Sequence, residues 1–202
     1  MEHTSEGIPE ELKNLKIIVG QEPYKEDDKV KCETKHLKGI DCEKFYQYFD
    51  TVAFVTGKLS PFKHTLENVL NLLYYNKNCK IRDEYIHIAT NNNWLSFVNN
   101  MYKDYKMVFI NQNELDLKCN TTNQIINYAE SILMCGNQAE KTIKSITKAT
   151  TSNAKLFLSV HPSTITSSNT RYIDDWISIQ TNGILSIHQN NYDHSVKLDF
   201  ML

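Results

Sequence analysis

Three short stretches hold residue types that could do chemistry: "GQEPYK" at 20–25, the asparagine that closes "KMVFIN" at 111, and "HPSTIT" at 161–166. Each follows an apolar run, "LKIIV", "KMVFI" and "AKLFLSV". Carboxylates and imidazoles such as Glu22 and His161 are the side chains of acid–base catalysis. A carboxamide such as Asn111 is suited to hydrogen-bond recognition. Singly, each has a plainer explanation: Asn111 as a turn residue, His161 as a satisfied loop histidine, Glu22 as a solvated carboxylate. Their shared position just past a strand is what sets them apart, because ligands of open α/β sheets gather where parallel strands end.

The elements that must position them alternate. Strands are expected at 16–20, 106–111, 131–135 and 155–160, where short apolar runs rich in Ile, Val, Leu and Phe fit strands buried on both faces. Helices are expected over "PFKHTLENVLNLLYYN", "NNNWLSFVNNMYKDY", "TTNQIINYAE", "NQAEKTIKSITKA" and "NTRYIDDWISIQ". "GILSIHQNNYDHSVKLDFML" reads as a closing β-hairpin or a loose tail. This order predicts an α/β fold: a four-stranded, mostly parallel central sheet with helices on both faces, forming one domain over 1–202. Parallel strands would bring Gln21-Glu22, Asn111 and His161 to a single edge.

Composition sets bounds on the rest. The chain has 202 residues, 41% apolar and 23% charged, as in an ordinary globular domain with a proper core. No stretch approaches the roughly 18 consecutive apolar residues of a membrane helix, and the acidic, polar start "MEHTSEGIPEELKN" is unlike a secretory signal. Cys32, Cys42, Cys79, Cys119 and Cys135 are odd in number, scattered and without a CxxC pair, so neither a disulfide framework nor a zinc site is indicated. A reducing compartment, nucleus or cytoplasm, is expected. The net charge of −2 does not mark a nucleic-acid binder, but Lys141, Lys144, Lys148, Lys155 and Arg171 face only Glu140 between Gly136 and Arg171. Such a locally basic face could meet phosphates or simply be solvated. The remaining histidines show no metal-ligand spacing, the lone glycines of "TGKLS" and "NGILS" make no phosphate-cradling loop, and Trp94 and Trp176 are expected to pack from amphipathic helices. Cys135, beside Gly136 at a strand end, is expected to be a small buried hydrophobe.

In their order and spacing, "GQEPYK" and "HPSTIT" resemble the two end motifs of the family 1 uracil-DNA glycosylases, GQDPYH and HPSPLS. Between them, "AFVTGKLSPFKHTLENVLNLL", "NNWLSFVNNMYKDYKMVFIN" and "SILMCGNQAEKTI" resemble further family segments, so the likeness spans roughly residues 8 to 176. The resemblance implies a monomeric enzyme without metal or cofactor. It would flip uracil out of single- or double-stranded DNA and hydrolyse the N-glycosidic bond in base-excision repair. It also implies roles. Gln21 would make a backbone contact around the uracil ring, Tyr24 would block C5 against thymine, Phe54 would stack on the base and Asn111 would bond its Watson–Crick edge. His161 would donate to O2 and Glu22 would stand near the attacking water. Ile165 would wedge into the duplex, while Ser60, Pro61 and Ser163 would grip phosphates.

The sequence also departs from the family. Glu22 stands for aspartate, Lys25 stands for histidine, "KEDDKVKCETKHLKGIDCEKFYQY" reads as an insertion, and helices before the first strand are largely missing. A longer carboxylate must fold back to reach the same place, and misplacement of about 1 Å costs heavily in rate. A second function is therefore open: a catalytically weak, glycosylase-fold DNA-binding or polymerase processivity subunit of the kind that large DNA viruses carry, with a replication protein as partner.

Overall fold

A computed structural model describes residues 8–21, 32–55, 94–115, 120–148, 154–159, 176–181 and 184–189. The sheet is built from β1 (Lys16–Gly20), β2 (Met107–Asn111), β3 (Ser131–Cys135), β4 (Lys155–Ser159), β5 (Trp176–Thr181) and β6 (Ile184–Gln189). Its strand order is β2-β1-β3-β4-β6-β5. β1 runs parallel to both β2 and β3, and β3 runs parallel to β4. The expected four-stranded parallel α/β core is therefore present.

Successive residues of a strand point to opposite faces, so a run buried at every position must be covered on both sides. β2 and β3 are buried throughout, and β1 is buried from Ile17 to Gly20. After the single turn α1 (Glu43–Tyr46), the helices doing the covering are amphipathic. In α2 (Trp94–Tyr105), Phe97, Val98, Met101 and Tyr102 recur at helical spacing, and this face packs on β2. In α4 (Asn137–Lys148), Ala139, Ile143 and Ile146 are buried and the helix packs on β3. Between them, α3 (Asn120–Asn127) buries Ile125 and Ile126. The helix expected over "PFKHTLENVLNLLYYN" lies outside the described residues. Among the described residues, no helix is long and apolar enough to cross a membrane.

The C-terminal part corrects one expectation. Residues 176–180, expected to close a helix, fall in β5, antiparallel to β6, which in turn runs parallel to β4. Trp176 thus opens a strand and does not lie on a helix. The physical reason is legible in hindsight. "WISIQT" and "ILSIHQ" are short β-branched runs, and the dipeptide joining them is Asn182-Gly183, the pair favoured in two-residue hairpin connections.

The stretch read as an insertion joins the core in its described part. Cys32, Leu37, Cys42, Phe45, Tyr46 and Phe49 are all buried. Phe45 stacks on Phe49 with ring centroids 5.0 Å apart and meets Tyr46 edge-on at 4.9 Å. The segment also covers an edge. β2 is an outer strand, and in a parallel ladder alternate residues turn both backbone groups away from the neighbour. At Phe109 those groups meet protein: its N–H donates to Tyr46 Oη at 2.9 Å, and its carbonyl accepts Tyr46 O–H at 3.4 Å and the Ala53 N–H at 3.3 Å. Burial pushes the Tyr46 phenol well above its ordinary range, so it stays protonated and can serve as donor and acceptor together.

Candidate functional site

β1 to β4 are parallel, so their C-terminal ends, Gly20, Asn111, Cys135 and Ser159, share one edge. From β1 the chain passes to β2 on one side. From β3 it passes to β4 on the other. Adjacent strands whose connections diverge in this way open a crevice at their C-terminal ends. At this switch point stand Gln21, half-buried just past β1, and Gly136, which turns into α4 with φ of 90°. Cys135 is fully buried, as expected of a small hydrophobe.

Next to the switch point, Gly20 and Asn111 are register partners on β1 and β2, so their Cβ directions lie on the same face. Gly20 has no side chain, and the ring of Phe54 occupies the space. A Cβ added at Gly20 would lie 2.9 Å from Phe54 Cζ and 3.2 Å from the Ala53 Cβ. The ring of Phe54 thus rests on β1 at the position level with Asn111 on β2. Phe54 holds φ of 65°, a left-handed conformation that costs a bulky residue on the order of 1–3 kcal/mol and is concentrated at functional sites.

Exchanging Gly20 for alanine should therefore destabilise the fold by about 1–3 kcal/mol through overpacking. Urea unfolding of the single and double variants checks this. Gly20→Ala combined with Phe54→Ala should lose clearly less than the sum of the single losses, because the clash needs both partners. Strict additivity would mean that the ring does not rest on Gly20.

Asn111 is 3% exposed and its amide is held from behind. Its Nδ2 donates to Thr51 Oγ1 at 2.8 Å. Thr51, fully buried, donates its hydroxyl in turn to Glu114 Oε1. Glu114 also accepts the N–H of Asp50 at 2.6 Å and that of Thr51 at 3.1 Å. A single 3-10 turn, Gln112–Glu114, folds the chain back after β2 and brings this carboxylate to the 50–51 backbone. Burial pushes the Glu114 carboxyl up from its ordinary value, while the bonds from Thr51 and the two backbone N–H groups act the other way. Thr51 is itself placed by its neighbours: Thr34 N–H donates to the Asp50 carbonyl and Val52 N–H to the Cys32 carbonyl, both at 2.9 Å.

Of the residues singled out in the sequence, the structure places Phe54 over Gly20, the register partner of Asn111, and sets Gln21 at the same sheet edge. Glu22, Tyr24, Ser60, Pro61, His161, Ser163 and Ile165 lie outside the described residues. So does Arg171 of the basic stretch, in which Lys144 is paired with Glu140 one helical turn away. Thr51 and Glu114 were not singled out, and no periodicity or motif marks them. Only their meeting with Asn111 does.

Fold and edge define an α/β protein whose parallel strands end with Phe54 over Gly20 and Asn111 level with it on the next strand. No protein-family model, curated protein or solved structure matches the chain.

Proposed function

We propose that the protein is a uracil-DNA glycosylase, which flips uracil out of DNA and hydrolyses its N-glycosidic bond as the first step of base-excision repair. The observation that supports this most is the pairing at the strand ends. Phe54 lies on Gly20, whose register partner is Asn111, so an aromatic ring and a hydrogen-bonding amide belong to the same strand ends. A flipped pyrimidine needs both, one to stack on and one to read its edge. The "GQEPY" and "HPS" motifs add the reacting groups. In this reading the C1′–N1 bond breaks with its electron pair passing to the uracil ring, and water adds to C1′, giving up one proton that balances the departing uracil anion. His161 donates to O2, where negative charge develops, and Glu22 orients the water and faces the cationic sugar. Tyr24 excludes the thymine methyl, Gln21 lends its backbone to the uracil ring, and Ile165 fills the gap in the duplex. Ser60, Pro61 and Ser163 hold phosphates.

The second reading, a DNA-binding or polymerase processivity subunit with little catalysis, is favoured by Glu22 standing where the motif has aspartate. One assay separates them: single-turnover uracil release from single- and double-stranded oligonucleotides by the purified chain, with Glu22→Gln beside it. Glutamine keeps the shape and removes the charge, so the rate should fall about tenfold or more. A parent that releases no uracil, or a variant as fast as the parent, transfers the assignment to the binding subunit.

A further inference from the structure

The polar chain behind Asn111 has a direction. Thr51 has one hydroxyl hydrogen and two lone pairs, whereas an ionised carboxylate only accepts. Glu114 already takes the N–H groups of Asp50 and Thr51, and it takes the Thr51 hydroxyl hydrogen as well. The Thr51 oxygen is then left as an acceptor, so Asn111 must turn its NH2 and not its oxygen towards it, as the 2.8 Å contact has it. A reversed amide would set Oδ1 against the Thr51 lone pairs in a fully buried place, where an unmade hydrogen bond is costly.

We propose that Thr51 and Glu114 are positioning residues that lock the amide of Asn111 in one orientation and so decide which pyrimidine edge the site accepts. The substrate side of this rests on the glycosylase reading; the lock itself rests on the hydrogen-bond geometry. Uracil presents N3–H as donor beside O4 as acceptor, and cytosine presents the reverse, N3 as acceptor beside an amino donor. With one Nδ2 hydrogen tied to Thr51, the amide offers its second hydrogen and Oδ1 in one fixed order. That order matches one pyrimidine and opposes the other, and mismatched buried polar groups are what give large discrimination.

Glu114→Gln tests the lock at nearly constant size. A glutamine amide can donate to the Thr51 oxygen, which turns the Thr51 hydrogen towards Asn111 and makes the reversed amide satisfiable. In single-turnover assays on oligonucleotides holding uracil or cytosine, the uracil-to-cytosine ratio should fall about tenfold or more for Glu114→Gln and Thr51→Val, and stay within about twofold for Thr51→Ser. A second readout does not need catalysis. With 15N-labelled asparagine, one side-chain amide hydrogen of Asn111 should be protected from exchange in the parent. That protection should fall about tenfold or more in Thr51→Val and persist in Thr51→Ser, whatever the melting temperatures do. If the parent releases no uracil, the glycosylase reading falls and the exchange measurement alone judges the lock. Unchanged protection in Thr51→Val overturns the lock, and an unchanged base ratio in an active Glu114→Gln enzyme overturns its part in specificity.

Discussion

Replacing Asn111 by leucine is expected to lower single-turnover uracil release by about 100-fold or more, the loss typical of removing a preorganised hydrogen-bonding group from a dry site. Leucine approximates the size of asparagine, so the Phe54 ring and the β2 end keep their shape, while the amide proposed to read the base is gone. The change also strips Thr51 of the N–H it accepts. A stability loss of about 1–3 kcal/mol should accompany the rate loss, since a buried acceptor is left unmade. The two effects part company in their dependence on conditions. Rates measured well below the unfolding transition, with the folded fraction checked by circular dichroism, report only the site. A leucine variant that stays folded and excises uracil within a few-fold of the parent would remove Asn111 from the site.

Tyr46 should show the largest effect on stability. It is fully buried in the aromatic cluster with Phe45 and Phe49, and its hydroxyl serves both backbone groups of Phe109 on the outer strand. Tyr46→Phe keeps the ring and removes the acceptor for the Phe109 N–H, at a cost of about 1–3 kcal/mol. The Phe109 carbonyl keeps the Ala53 N–H, which limits the damage to one side. Tyr46→Ala adds the cavity of a lost aromatic, typically about 3–5 kcal/mol. A loss of that size is comparable to the whole stability of many domains. Urea denaturation of both variants checks the order and the gap. A Tyr46→Phe protein as stable as the parent would show that the Phe109 edge is satisfied without the hydroxyl.

Much of the fold was legible because strands and helices of a buried sheet write themselves into local pattern. "KIIVG", "MVFIN", "SILMC" and "KLFLS" are strands at their expected places, and "WLSFVNNMYKDY" and "NQAEKTIKSITK" are the helices whose apolar spacing promised a buried face. The exception is β5: helix is expected over "NTRYIDDWISIQ", whereas 176–181 pair with β6 across Asn182-Gly183, a dipeptide that favours a hairpin. That the segment at 32–50 joins the core is not legible in the sequence, because nothing local says that Phe45, Tyr46 and Phe49 are buried.

By itself, the sequence determined the alternation of strand and helix, the parallel core that follows from it, and hence the shared edge at which Gln21 and Asn111 stand. Those properties depend on periods of two and of 3.6 residues, which any short window reveals. Only the tertiary structure decided that Phe54 fills the space over Gly20, that Tyr46 closes the edge at Phe109, and that Glu114 reaches Thr51, 63 positions earlier in the chain, to hold Asn111. These are meetings between distant segments. Short-range pattern states which face of an element is apolar. It does not state which remote backbone or hydroxyl will come within hydrogen-bonding distance, because that depends on how the whole chain packs.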